Sequence, residues 1–285
     1  MDSALIPPPL DVPALLRRHH LTPKKSLGQN FLMDPTAILR IVDAAEITKN
    51  TAVLEIGAGL GNLTRYLARA ASQVTAVELD QNLLPILTEV LADEKNVQII
   101  HGDMLKLDPA EIMPQDQYIV VANIPYYITS ALIRHLLEAR IKPAHLVLTM
   151  QREVADRICA QPGDLSLLAL SVQVYGYARS VARIPAGAFY PPPKVDSATL
   201  RVDLYPAPVI PADQLEVFFR LAKAGFGQKR KMLRRSLASG LSWDLARTEA
   251  LLRSVEIDPT RRAETLSLEE WRRLTDHYIR KQLAQ

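Results

Sequence analysis

Between Thr51 and Met150 the chain alternates short β-branched apolar runs with amphipathic stretches of helical period, and few folds accommodate that alternation. The runs Ala52–Ile56, Val74–Leu79, Val97–Ile100, Tyr118–Ala122 and Leu146–Met150 read as buried strands. Leu60–Ala70, Asn82–Ala92 and Thr129–Ala139 carry the helical pattern. Each helix returns the chain across the sheet, so the strands pair in parallel and both sheet faces become covered. Ala178–Ile184 and Ala198–Leu204 have no long helix between them and read as an antiparallel pair closing the sheet edge. Tyr205-Pro206-Ala207-Pro208 reads as a linker. Beyond it, strand signals vanish, and helical patterns at Asp213–Ala224, Lys229–Ala238, Leu245–Leu252 and Leu268–Arg280 predict a small all-helical domain. Ser267 and Glu270 have the spacing of an N-cap with its capping-box partner. The expected organisation is a lead-in over 1–22, an α/β domain over 23–205 and a helical domain over 206–285.

At 285 residues the chain can bury a full core and still carry a second small domain. Its one cysteine, Cys159, excludes an internal disulfide and a cysteine-based zinc cluster, which fits a reducing cytoplasm. The six histidines show no metal-ligand spacing, and His19-His20 read as solvated, so no metal is expected. No apolar run approaches the roughly 18–20 residues that span a membrane. Met1 to Val12 lacks the basic and apolar regions of a signal peptide, and Pro7-Pro8-Pro9 makes it a stiff, poorly ordered lead-in.

Charge is unevenly spread. Fifteen basic against 10 acidic residues give +5 over 206–285, whereas 19 against 21 give −2 over 1–205. Seven basic residues lie from Arg220 to Arg235, among them Lys229, Arg230, Arg234 and Arg235, and no acid lies between Val217 and Trp243. Such a run is either a solvated helix face or the contact surface for a polyanion such as RNA.

The chemistry concentrates at strand ends. Asn123-Ile124-Pro125-Tyr126 follows the Tyr118–Ala122 run, where the Pro stops the strand. Open α/β sheets place their ligands at that end. The Asn123 side-chain oxygen and the Ile124 carbonyl can accept the hydrogens of an exocyclic amine while Tyr126 stacks on its ring. Taken alone, the four residues are equally a strand-ending turn with a buried Tyr. Gly57-Ala58-Gly59-Leu60-Gly61 lets the backbone turn tightly against a ligand with no Cβ in the way. The third Gly comes one residue too early for a dinucleotide loop, and Glu55 adds negative charge beside it. That combination disfavours phosphate and suits a cationic nucleoside such as S-adenosylmethionine.

Glu78 ends the second strand at the spacing of a ribose-binding acid, though an acid there is equally a solvated strand cap. Asp103 after the third strand can accept from an adenine amine while Met104 packs on the ring; equally, Asp103 can be a turn former. In Lys24-Lys25-Ser26-Leu27-Gly28-Gln29-Asn30-Phe31-Leu32, the Gln and Asn could close over the cofactor while Lys24 and Lys25 reach phosphate, or the segment is simply a polar N-terminal arm. Phe189-Tyr190-Pro191-Pro192-Pro193-Lys194-Val195-Asp196-Ser197 reads as a stiff, aromatic-tipped loop able to stack an unpaired base, or as a Pro-rich packing loop.

In this order these motifs resemble the rRNA adenine N6,N6-dimethyltransferases. Phe226–Leu237 and Arg262–Ser267 resemble the small-subunit branch, and the likeness runs from about 23 to 275. The resemblance implies a Rossmann-like S-adenosylmethionine-dependent methyltransferase sheet with a C-terminal helical domain. It implies a pocket lined by Asn30, Leu32, Gly57, Glu78, Asp103 and Asn123, to which the glycine loop adds Gly59 as a cofactor-binding residue. The implied activity is dimethylation of two adjacent adenosines near the 3′ end of small-subunit rRNA, by a cytoplasmic monomer acting on a pre-assembled subunit, with Phe189 and Tyr126 holding the base. The alternatives are a large-subunit dimethyltransferase of the antibiotic-resistance type and a non-catalytic rRNA-binding assembly factor. Two positions depart from the family pattern: Ala58, where Pro is usual, and Tyr127, where Asn is frequent.

Overall fold

The computed structural model describes residues 6–113 and 117–283. The chain runs through α1 (Val12–Arg18), β1 (Phe31–Leu32), α2 (Pro35–Ala44), β2 (Ala52–Ile56), α3 (Asn62–Ala70), β3 (Gln73–Glu78), α4 (Leu84–Val90), β4 (Val97–His101) and α5 (Pro109–Ile112). It continues through β5 (Tyr118–Asn123), α6 (Thr129–Leu137), β6 (His145–Gln151), α7 (Arg152–Ile158), α8 (Leu167–Gln173), β7 (Gly176–Ile184), β8 (Phe189–Tyr190) and β9 (Ser197–Leu204). The last helices are α9 (Leu215–Phe226), α10 (Leu233–Leu241), α11 (Leu245–Ser254) and α12 (Leu268–Leu283).

Seven strands form one sheet in the order β4-β3-β2-β5-β6-β9-β7. β4 through β6 are parallel neighbours, and β9 lies antiparallel on β6 with Leu148 opposite Leu200. β7 takes the outer edge beside β9. β2 has β3 on one side and β5 on the other, so the sheet grows in opposite directions from it, and the carboxyl ends of β2 and β5 flank the crevice where such folds bind ligands. All five residues of β2 are buried, as expected of a strand covered on both faces. Asp34 caps α2 by accepting from the Thr36 amide, with Pro35 in the first turn.

The described part of the lead-in differs from the expectation. Its apolar positions form α1, whose Val12 and Leu16 are buried with Phe31, Leu60, Leu83 and Ile86. Arg18 bonds Glu89, and His19 meets the same carboxylate at 3.1 Å, so His19 is paired rather than simply solvated. Burial of the apolar pair outweighs the stiffness of Pro7–Pro9. The start of that lead-in, residues 1–5, lies outside the described residues.

The chain divides into two compact units. One runs to Ala155 and resumes over Ala178–Leu204; the other comprises Asp156–Tyr177 and the chain from Tyr205 onward. A single cut at residue 205 therefore misassigns α8. Backbone bonds explain why: the Gly163 and Leu165 amides donate to the Glu264 carbonyl, and the Val209 amide donates to Val174. Within the second unit Trp271 is fully buried and stacks on Phe226 at 6.0 Å. Its α12 begins with the expected reciprocal cap, Ser267 amide to Glu270 carboxylate at 2.7 Å and Glu270 amide to Ser267 Oγ at 3.2 Å. The helix expected from Lys229 starts only at Leu233, because the Leu233 amide is drawn to the Arg261 carbonyl at 2.6 Å and Lys231 closes a turn on Gln228. Among the described residues no helix is long and apolar enough to cross a membrane, and no three His, Cys, Asp or Glu side chains are grouped to hold a metal.

Candidate functional site

A cleft opens at the carboxyl ends of β2, β3 and β5. Into it come Asn30 and Leu32 from β1 and its approach, Gly57 and Gly59 from the loop after β2, and Glu78 from β3. Asp103 and Met104 after β4, Asn123 at the end of β5 and Ile124 through Tyr126 beyond it complete the wall. The sequence motifs thus converge because parallel strands deliver all their carboxyl ends to one edge.

The glycine loop is shaped for close approach. Gly59 has φ +60°, and a Cβ there would lie 3.2 Å from the Phe31 ring. Gly57 has φ +77°, so both positions suit residues without a side chain. The Glu78 carboxylate is anchored from two sides, accepting from the Gly59 amide and the Asp80 amide, each at 2.7 Å. Burial raises its pKa, and these amide bonds offset only part of that effect. Each oxygen keeps a second lone pair for a hydroxyl in the cleft.

Glu55 does not behave as the sequence suggests. It is fully buried, and burial pushes its pKa up to about 8, with the nearby Thr64 hydroxyl offsetting a little and Glu78 adding to the rise. It is therefore mostly uncharged at neutral pH, and its Oε2 has no hydrogen-bond partner among the described residues. Negative charge beside the loop comes from Glu78 and Asp103 instead.

Asn123 donates its Nδ2 to the Asn30 carbonyl at 3.1 Å, which leaves Oδ1 as the acceptor of the amide. Ile124 is held by its own amide on the Thr149 carbonyl at 3.0 Å, and among the described residues no donor reaches its carbonyl. The Tyr126 hydroxyl and Ser197 Oγ are 2.8 Å apart, a bond that fixes the ring. Asp103 accepts from the Leu105 amide at 3.1 Å through Oδ1, so the turn-forming role is real; Oδ2 stands 3.9 Å from the Lys106 ammonium.

Three expectations are corrected. Phe189 is only 2% exposed and packs with Leu32, Ile38 and Ile184, because β8 pairs with β1 and turns this ring into the core. It offers no face for a base; the exposed aromatic on the cleft is Tyr127, 60% accessible. Lys24 is not a free cation for phosphate: its side chain is 40% exposed, but its Nζ bonds Asp80 at 2.7 Å. Arg234 bonds Glu249; of the cations expected to meet RNA, Lys229, Arg230 and Arg235 are exposed, as are Arg220, Lys223 and Lys231 of the same run and Lys25 near the cleft.

Sequence reasoning missed Asp80, which accepts from Lys24 and from Gln29 Nε2 at 2.8 Å. Burial works against the Asp80 carboxylate, but these donors outweigh it and hold its pKa below the ordinary value. The signal was present two residues beyond Glu78, in Glu78-Leu79-Asp80. Ser197, at the end of the Pro-rich motif, and Asn62, whose Nδ2 bonds the Leu32 carbonyl at 2.9 Å, were also missed.

Comparison with known proteins agrees with this geometry. Residues 20–280 match the profile of the ribosomal RNA adenine dimethylase family. A ribosomal RNA small subunit methyltransferase A from Dehalococcoides mccartyi is 47% identical over 266 residues, covering 93% of this chain and 91% of the relative. The protein of that name from Bacillus pumilus is 41% identical, covering 94% and 95%. Among solved structures, the 23S rRNA methyltransferase ErmE superposes with a TM-score of 0.70 at 31% identity, over 87% of this chain and 99% of that one. A dimethyladenosine transferase from Plasmodium falciparum shares the fold, with a TM-score of 0.75 at 24% identity over 88% and 98%.

Proposed function

The chain belongs to the ribosomal RNA adenine dimethylase family, and from that membership we propose that it methylates N6 of two adjacent adenosines near the 3′ end of small-subunit rRNA, each twice. The observation that carries the reading is the oriented acceptor pair at the end of β5: the Asn123 amide, turned by the Asn30 carbonyl, beside the Ile124 carbonyl. The relatives at 41–47% identity are named for the small subunit, which favours that branch over the large-subunit one.

The cleft fits S-adenosylmethionine. Glu78 would take the ribose hydroxyls, Asp103 the adenine amine and Met104 its face. The Cβ-free loop at Gly57 and Gly59 leaves room for the backbone to approach, and Asn30 and Leu32 close the opposite wall. The cofactor supplies an electrophilic methyl on a positively charged sulfur.

Adenine N6 is a poor nucleophile because its lone pair is delocalised into the ring. Asn123 Oδ1 and the Ile124 carbonyl accept its two hydrogens and draw them out of plane as nitrogen becomes tetrahedral. Both bonds strengthen as positive charge develops there, so these residues favour the transition state over the ground state. Pro125 sets the turn that aims the carbonyl, and Tyr126, tied to Ser197, presents its ring to the extruded base. After transfer the cationic nitrogen keeps its N–H groups bonded to the same acceptors until it releases one proton to solvent. Lys25, Lys229, Arg230 and Arg235 would contact rRNA phosphates. We place the enzyme in the cytoplasm, as a monomer acting on a pre-assembled small subunit.

The test is incubation with labelled S-adenosylmethionine and unmodified small subunits, free small-subunit rRNA or large subunits, followed by nucleoside mapping. The expected result is N6,N6-dimethyladenosine at two adjacent positions of the small subunit alone. Label in large-subunit rRNA would transfer the protein to the antibiotic-resistance branch, and stoichiometric binding without label would make it an assembly factor.

A further inference from the structure

We propose that Asp80 is a positioning residue for methyl transfer: with Lys24 and Gln29 it latches the segment from Lys24 to Leu32 across the cleft, and the latched segment sets the direction of the Asn123 amide. The inference rests on the role assigned to Asn123 above.

Asp80 is 5% exposed and spends one oxygen on each of two residues of the segment. Oδ1 accepts from Lys24 Nζ at 2.7 Å and from the Asn82 amide at 3.1 Å; Oδ2 accepts from Gln29 Nε2 at 2.8 Å. The Lys24 amide in turn donates to Gln29 Oε1 at 2.7 Å, so three residues close a ring of bonds. One residue on, the Asn30 carbonyl receives Asn123 Nδ2. The backbone between is pressed against the catalytic turn: a Cβ on Gly28 would lie 3.2 Å from Pro125 Cβ. The Asp80 amide meanwhile holds Glu78. Asp80 therefore stands between the acid proposed for the ribose and the segment that orients the amine acceptor.

The orientation matters because a carboxamide has a donor end and an acceptor end of nearly equal size. With the Asn30 carbonyl in place, the NH2 end is held away and the oxygen faces the cleft. With the segment released, the amide can turn its NH2 toward the adenine amine, setting donor against donor. Lys24 and Gln29 thus act on the reaction through Asn123, although neither needs to touch the base.

The experiment is single-turnover methylation of purified unmodified small subunits at saturating cofactor and subunit, comparing wild type, Asp80→Ala, Asn123→Ala and the double variant. Asp80→Ala should slow transfer by about tenfold or more, the scale expected for a displaced reacting group. In the Asn123→Ala background the same change should cost less than about twofold, since the residue it positions is gone. Trypsin should also cut Asp80→Ala faster after Lys24 and Lys25. Gln29→Glu, which sets a second carboxylate against Asp80 without removing core atoms, should reproduce both effects if Asp80→Ala folds poorly. Losses that multiply in the double variant, or a wild-type rate for Asp80→Ala, would overturn the latch while leaving the role of Asn123 intact. A wild-type rate for Asn123→Ala would overturn both.

Discussion

Glu55 and Glu78 show how much a residue's surroundings alter its chemistry. Both acids lie at the carboxyl-end region of neighbouring strands, yet Glu55 has an unmet oxygen and a pKa of about 8, while Glu78 is anchored by two amides. Between the ordinary value of 4.5 and about 8, folded Glu55 keeps a proton that the unfolded chain has released. Its contribution therefore makes stability fall as pH rises across that window, by at most about 1.4 kcal/mol per pH unit. Glu55→Gln removes the slope, so its melting temperature relative to wild type should climb from pH 5 to pH 8; a constant offset would mean that Glu55 is ionised throughout. Glu78→Ala should weaken S-adenosylmethionine binding by about 1.5–3 kcal/mol through loss of charge-assisted bonds. Calorimetry should also show wild-type affinity declining on acidification, because the raised pKa lets Glu78 protonate sooner than an ordinary carboxylate. Unchanged affinity in Glu78→Ala removes it from the site. The types of these acids were legible in the sequence, but their protonation was not, since burial is a tertiary property.

At the scale of elements, the loop after β2 and the start of α12 were both readable from local chemistry. Glycine spacing marks a backbone that must visit positive φ, and Gly59 does so at +60° against the Phe31 ring. Gly59→Ala should cost about 1–2 kcal/mol of stability from the left-handed strain alone. It should weaken cofactor binding as well, through displacement of the amide that holds Glu78. Full cofactor affinity in titrations of Gly59→Ala would show that the loop has slack. Ser267→Ala gives a contrasting outcome, lowering stability by about 1 kcal/mol as a cap is lost, with cofactor affinity unchanged. α10 shows where such reading stops: its basic run has helical composition, but a carbonyl at Arg261, 28 positions beyond Leu233, captures the first amide and delays the helix.

For the whole molecule, the charge asymmetry survives folding in reduced form. Lys229, Arg230 and Arg235 remain exposed, whereas Arg234 is consumed by Glu249. Reversing the charges of Lys229, Arg230 and Arg235 should weaken small-subunit binding and reduce its log–log salt slope by up to about one per lost phosphate contact. Arg234→Ala should chiefly lower stability and leave that slope unchanged; an equal slope change in both variants, measured by subunit binding across a salt series, would remove the distinction. The linear chain determined where the strands lie along it, the glycine loop, the acceptor turn at the end of β5 and the caps, because period, turn chemistry and propensity act over a few residues. It did not determine which side chains meet. Lys24 and Asp80 are 56 positions apart, and Asn30 and Asn123 are 93 apart; only the parallel sheet, by bringing strand ends to one edge, made them neighbours. The same packing turned Phe189 inward and drew 156–177 to the C-terminal helices, since apolar surface and backbone bonds are satisfied by what lies near in space rather than along the chain.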